Sequence, residues 1–300
     1  MKAAAALPTM PPPFPPAFAA LLQALLGQPL SMHGAADERT RARRARLSQS
    51  GTFVGHRPYV RGDDLRRIDW AACARTGALF VKQLEEEERR TATLLLDLSP
   101  SLLVGLVPRR LAMLRAAAVL GGLALARLDG LTVVAPGAGD ASIRPFVGLQ
   151  SLGSLLRHLE TLPIVATTPA AAATLVLQQR VPGRVHWLSD FAVPREVELP
   201  LFALRRRGAH VTGWLPELPE DRQAPQPGFV RVVDPESGAM LAVPIDAAFA
   251  AELQRQLAAL ALAQDHLFSQ AGAQLVRWPA HVADDMQVAA WLPFLTRCAG

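Results

Sequence analysis

The chain has 300 residues, enough for one large domain or a domain with an appendage, and half are hydrophobic, which supplies a core of ordinary globular size. Cys73 and Cys298 are the only cysteines and form no CxxC, which argues against a disulfide framework and for a reducing, cytoplasmic setting. Lys2 and Lys82 are the only lysines among 31 basic residues, and the net charge of +5 is too modest to demand nucleic acid.

The chain opens with MKAAAALPTMPPPFPPAFAALLQALLG, in which the prolines from Pro11 to Pro16 break the apolar run a signal peptide requires. A short apolar helix is predicted over Phe18 to Leu26. The stretch DERTRARRAR places five arginines in eight residues from Arg39 and reads as a solvated surface rather than a nucleic-acid patch. Residues 1–47 are therefore read as a proline- and arginine-rich extension. Residues 48–90 form a polar segment, rich in charge and turns, expected to pack on the main domain. Within it Glu85–Glu88 is a solvated charge run.

From residue 91 to 300 strands and helices alternate. Strands are predicted at Thr93–Leu98, Leu131–Ala135, Ser142–Val147, Arg184–Leu188, Ala209–Leu215 and Ala273–Trp278, where branched residues cluster. Helices are predicted near Arg109–Leu128, Pro169–Gln179, Glu196–Arg207, Asp246–Gln270 and Ala283–Arg297. Leu111–Leu128 is very apolar, but Arg115 interrupts it. Its uncharged core AAAVLGGLALA falls short of the roughly 20 residues a spanning helix needs, so it is read as a buried helix and no spanning segment is expected. Alternation predicts a doubly wound, mostly parallel α/β sheet covered on both faces. The short link PGAGDA between the second and third strands makes one edge antiparallel. Gly228–Pro244 breaks the alternation and is predicted as a small β-hairpin insertion turning at Asp234–Gly238.

Ligands of doubly wound sheets bind beyond the carboxyl ends of the strands. The first strand ends in LLLDLSPS, which supplies Asp97, Ser99 and Ser101. Thr168, with Thr167 as the alternative, precedes the helix at Pro169 in an N-cap position. The fourth strand delivers Ser189 and Asp190. Two carboxylates and several hydroxyls are hard oxygen donors that suit Mg²⁺, Mn²⁺ or Ca²⁺ rather than zinc. The seven histidines form no HxxxH or HExxH pattern. There is no GxxxxGK[ST] loop, so ATP hydrolysis is not expected, and no GxSxG elbow. Asp63, Asp64 and Asp69 could hold the metal of a phosphoryl-transfer enzyme or nuclease, which is the rival reading. Arg61, Arg66 and Arg67 interleave with them and favour internal ion pairs instead.

Asp97-x-Ser99-x-Ser101, the threonine before the next helix-bearing loop, and Asp190 resemble the metal-ion-dependent adhesion site of von Willebrand factor type A domains. That resemblance implies Asp97, Ser99, Ser101, Thr168 and Asp190 as metal ligands, with one position left for a partner's carboxylate. Upstream, RPYVRGDDLRRIDWAACARTGALFVKQLEEEER (residues 57–89) is similar to the signature of the domain of unknown function 58 family. Arg61, Gly62, Asp63, Asp64, Arg66, Asp69, Trp70 and Arg75 carry it as structural or interface residues. Relatives are typically encoded beside MoxR-type AAA+ ATPases. The resemblance thus implies a non-enzymatic adaptor, with a divalent cation as cofactor, between such an ATPase and a client in assembly or cofactor insertion. Two positions depart from the pattern: Leu102 stands where methionine is common, and Phe191 where many adhesion-type domains have glycine.

Overall fold

A computed structural model describes residues 12–27, 52–60, 68–85, 91–103, 109–127, 130–166, 168–178, 183–235 and 238–280. The arginine-rich stretch, Arg61–Arg67, Glu86–Glu88, Thr167 and the helix expected at Ala283–Arg297 lie outside the described residues. The chain divides into two compact units, Met1–Pro29 with Arg90–Gly300, and Leu30–Arg89.

In the larger unit a six-stranded sheet forms from β3 (Thr91–Leu96), β4 (Gly130–Val134), β5 (Ile143–Phe146), β6 (Arg184–Leu188), β7 (His210–Glu217) and β10 (Gln274–Pro279), in the order β10-β7-β6-β3-β4-β5. Every pairing is parallel except β4 with β5, so the expected antiparallel edge is present. Strand order reverses beside β3. The chain runs outward from it through β4 and β5, then returns to build β6, β7 and β10 on its other side. β3 reads TATLLL and buries Ala92 through Leu96, as a central parallel strand covered on both faces must.

Alternate side chains of a strand point to opposite faces, which locates the helices. Leu95, Val185, Trp187 and Val211 share a core with Val176 of α5 (Pro169–Gln178), Leu201 of α6 (Pro194–Arg206) and Phe268 of α7 (Ala247–Gln270). The opposite face, with Leu94 and Leu131, receives α3 (Arg109–Arg127), which approaches closely because Gly121 has no side chain. A Cβ there would stand 2.6 Å from Leu155 Cδ2 and 3.1 Å from Leu131 Cδ2. A glycine inside a helix costs about 1 kcal/mol against alanine, and the close packing offsets it.

α3 is buried on nearly every side and is not a membrane span. No described helix is long and apolar enough to cross a membrane. Its outer face is covered by α1 (Pro16–Gly27) and α4 (Leu152–Thr161): a Cβ on Gly122 would meet Leu26 at 2.9 Å and Leu152 at 3.5 Å. Arg115, the charge that interrupts the apolar run, donates from Nε to the Pro13 carbonyl at 3.0 Å and lies 5.8 Å from the Phe18 ring centroid. It ties the N-terminal segment down. α4 has no counterpart among the sequence expectations. It buries Leu152, Leu155, His158 and Leu159 along one face, and a histidine and an early glycine (Gly153) obscure that periodicity.

The insertion is the predicted hairpin, β8 (Gly228–Val233) paired antiparallel with β9 (Met240–Ile245). Phe229, Met240 and Leu241 are exposed on it. In the smaller unit β1 (Thr52–Pro58) pairs antiparallel with β2 (Phe80–Glu85), and α2 (Trp70–Thr76) lies between them in sequence.

His186, on β6, is buried and accepts the Trp214 indole N–H on Nδ1 at 3.1 Å. Burial, with a smaller contribution from the Arg184 charge, lowers its pKa to about 4. The unfolded imidazole takes up its proton near 6.5, so between that pH and about 4 the unfolded state binds more protons. Stability should therefore fall as pH drops through this window, on the order of 3 kcal/mol in all. In His186→Gln, whose amide oxygen can accept the same N–H, this component should vanish. Denaturant unfolding of both proteins at pH 7 and pH 4.5 checks it, and identical pH dependence would refute it.

Candidate functional site

The reversal of strand order brings the ends of β3 and β6 side by side. Asp97 continues the ladder for one residue, its N–H donating to the Leu188 carbonyl at 3.0 Å. Its carboxylate is then held from two sides. Oδ1 accepts the Ser99 N–H at 2.8 Å, closing a tight turn, and Oδ2 accepts the Ser189 hydroxyl at 2.7 Å. Pro100–Leu103 winds into a single 3-10 turn that brings the Ser101 hydroxyl to 2.8 Å from that of Ser99. Ser99 and Ser189 are buried.

Asp190 follows Ser189, and its Oδ1 accepts the Ala192 N–H at 3.1 Å. It is close enough to Asp97 for its charge to act there. The Asp97 carboxyl is held above the usual carboxylate range, chiefly by burial and secondarily by Asp190, while the bonds from Ser189 and Ser99 pull the other way. Among the described residues no basic side chain acts on Asp97. The site thus sets the desolvated Asp97 carboxylate and the half-buried Asp190 carboxylate beside the Ser99, Ser101 and Ser189 hydroxyls, a setting that suits a bound cation. Among the described residues no three His, Cys, Asp or Glu side chains converge, so a cation here would draw on hydroxyl oxygens too. The donor set fits Mg²⁺, Mn²⁺ or Ca²⁺ and not a softer metal.

Of the residues singled out in the sequence, Asp97, Ser99, Ser101 and Asp190 come together at this point. Ser189, which sequence placed at the strand end but outside the proposed ligand set, is the residue that grips Asp97. Thr168 is exposed at the entrance to α5, where its Oγ1 caps the Ala171 N–H at 3.2 Å. The segment leading to it is stitched to the site by the Val165 N–H, which donates to the Leu98 carbonyl at 2.8 Å. Buried Arg110 braces the same segment through the carbonyls of Leu162 and Pro163.

Phe191 is the one non-glycine residue with positive φ among the described residues, at 48°. The departure from glycine at this position therefore falls where the backbone turns left-handed, a conformation glycine adopts freely. The ring compensates the strain. It is buried edge-on against Trp187 and Phe268, with centroids 5.7 and 5.1 Å away.

In the smaller unit Asp69 is spent on structure. Oδ1 caps α2 by accepting the Ala71 and Ala72 N–H groups at 3.0 and 3.1 Å, and Oδ2 lies 2.8 Å from His56 Nε2. Trp70 and Arg75 are exposed on α2, whereas Arg61, Gly62, Asp63, Asp64 and Arg66 lie outside the described residues.

Fold and site define a mixed α/β protein with a mostly parallel central sheet and a carboxylate–hydroxyl cluster where strand order reverses. The chain belongs to the family described as protein of unknown function DUF58, whose model matches residues 55–261. Uncharacterized proteins of Mycobacterium bovis and Mycobacterium tuberculosis are 32% identical to it over 217 residues. That match spans 68% of this chain and 66% of theirs, a little under two thirds of the relatives' length. Two solved structures share a remote likeness. The conserved hypothetical protein BatB from Bacteroides thetaiotaomicron is 13% identical with a TM-score of 0.39, over 69% of this chain and 98% of that one. An aerotolerance-related membrane protein from Bacteroides fragilis, carrying mutations to serine, is 15% identical with a TM-score of 0.41, over 70% and 98%.

Phe191→Gly separates strain from packing. Relief of the left-handed backbone gains about 1 kcal/mol, while loss of a buried phenyl ring costs about 3–5 kcal/mol. A net destabilisation of about 2–4 kcal/mol is expected in urea unfolding, despite glycine being the residue the backbone prefers.

Proposed function

We propose that the larger unit is a von Willebrand factor A-like module that binds a divalent cation, Mg²⁺ foremost, and through it a carboxylate of a partner protein. The observation that carries this is the Asp97–Asp190 pair: two carboxylates at the strand-order reversal, the first desolvated by burial and, among the described residues, with no basic side chain acting on it. The sheet order with its antiparallel edge at β5 and the D-x-S-x-S turn support the same reading. Asp97, Ser99, Ser101 and Asp190 would hold the ion, with Thr168 contributing from the start of α5. When bound, the ion supplies a positive centre for an anionic oxygen. The two carboxylates cancel a dication's charge only formally, and the neutral hydroxyls leave it able to attract one more anionic ligand.

On this reading the chain is a non-enzymatic adaptor. Its partner is a MoxR-type AAA+ ATPase acting on a client in assembly or cofactor insertion, in the cytoplasm. Support for that partner is the signature in residues 57–89. The rival, a metal-dependent phosphoryl-transfer enzyme or nuclease built on Asp63, Asp64 and Asp69, is weakened by the capping role of Asp69.

Without metal, Asp97→Asn should be at least as stable as the wild type, because it removes a buried charge while keeping a side chain that can hydrogen-bond Ser99 and Ser189. Adding Mn²⁺ or Mg²⁺ should raise the wild-type melting temperature, as a ligand specific to the folded state must, and leave the Asn variant unmoved. Equal shifts in both proteins would refute the assignment. Ser99→Asp should retain metal but release the partner, since an added carboxylate satisfies the ion. Pull-down with the MoxR-type ATPase, with and without chelator, reads that separation.

A further inference from the structure

We propose that Gln264 of α7 is a positioning residue for the candidate metal site, holding the strained Asp190–Phe191 loop so that the Asp190 carboxylate faces Asp97. The proposal rests on the metal reading for the purpose of the loop, but the hold itself is independent of it.

Gln264 is 5% exposed, a polar side chain inside the apolar stripe that seats α7 on the sheet. Its Nε2 reaches the Phe191 carbonyl at 3.0 Å and the Asp190 carbonyl at 3.3 Å. Its Oε1 accepts from Arg277 Nη2 at 2.9 Å. The orientation of this amide is not arbitrary. An arginine can only donate and a carbonyl can only accept, so oxygen must face Arg277 and nitrogen must face the loop. Arg277, on β10, is fixed in turn by the Ala261 carbonyl at 3.0 Å and by ion pairs with Asp265 and Glu217. The relay therefore runs from β10 through α7 to the two peptide groups that follow Ser189.

Those peptide groups need holding. A phenylalanine at φ 48° costs on the order of 1 kcal/mol or more and persists only where its surroundings over-determine it. Among the described residues the other hydrogen bonds of the loop are local, Phe191 N–H to Ser189 Oγ at 3.2 Å and Ala192 N–H to Asp190 Oδ1, while the Phe191 ring packs on Phe268. Gln264 is the polar contact from a distant element that fixes both carbonyls. If it lets go, the Asp190–Phe191 peptide is free to rotate toward an ordinary conformation, and the carboxylate swings with it.

Two substitutions in the full-length chain test this. Gln264→Glu keeps size and the Arg277 contact but turns an acceptor toward the two carbonyls, whereas Gln264→Leu removes both contacts. Amide hydrogen exchange followed by NMR reads the loop, and Mn²⁺ titration by electron paramagnetic resonance reads the site. In both variants the Phe191 amide should exchange at least about tenfold faster while the amides of β3 keep their protection. Mn²⁺ affinity should fall about 10–100-fold, the usual cost of losing a group that orients a ligand, with Gln264→Glu still unfolding in one cooperative transition. Unchanged Phe191 exchange would overturn the proposal, as would a loss of protection spread evenly through the sheet. If the wild type binds no Mn²⁺, the metal reading fails and the exchange result still decides whether Gln264 holds the loop. If the loop loosens but Mn²⁺ binds as before, the hold is real and its role in placing Asp190 is overturned.

Discussion

The pairing of β3 with β6 in the middle of the sheet is the constraint on which the rest of the molecule depends. It is a contact between segments about ninety residues apart, closed by Leu96 opposite Leu188 and extended by the Asp97 N–H to the Leu188 carbonyl. Because both strands are parallel and both end there, their following loops leave in different directions and face each other across a crevice. Asp97 and Ser189 meet at 2.7 Å for this reason alone. A one-residue slip in this register would turn every core side chain to the wrong face and separate the two loops' polar groups.

The dryness of the site follows from how the sheet is covered. α3 lies on one face and α5, α6 and α7 on the other, so the carboxyl end of β3 emerges between two packed layers. A carboxylate placed there loses hydration, and burial rather than its neighbour's charge is the main cause of the raised Asp97 pKa. The same covering explains α3. Its two glycines weaken it as an isolated helix, yet they let α4 and α1 pack against it at distances that a methyl group would violate. Arg115 is tolerated within it because a carbonyl and an aromatic ring receive its charge.

Function and strain share one segment. Ser189, Asp190 and Phe191 carry, in order, the hydroxyl that grips Asp97, the second carboxylate and the left-handed residue. Their conformation is set from outside the segment, by Trp187 beneath and by Phe268 and Gln264 of α7 above. This is why a phenylalanine can stand where glycine would be the easier residue. The ring contributes packing that glycine cannot, and the backbone cost is offset by that burial.

Much of this was legible in the sequence because it is local. Near-continuous apolar strands, the PGAGDA link and the Asp234–Gly238 turn each act over a few residues, so the mixed α/β order, the antiparallel edge and the hairpin insertion could be read directly, with boundaries off by one or two residues. The juxtaposition of Asp97, Ser99, Ser101 and Asp190 was legible because each lies directly after a buried strand, at the carboxyl ends where a doubly wound sheet brings loops together. α4 was not, because His158 breaks its apolar face and Gly153 lowers its helix propensity, and its burial depends on the glycines of a helix some thirty residues earlier. Nor was the grip of Ser189 on Asp97, the conformation of Phe191 or the hold of Gln264. A glutamine in an apolar stripe carries no signal of its own, and only the packing of α7 against the end of β6 gives its amide two carbonyls to bind. Sequence by itself determined which elements form and which polar groups end the strands, since propensity and periodicity act within a segment. Tertiary structure alone decided which of those groups touch, because that depends on register and helix packing between segments far apart in the chain.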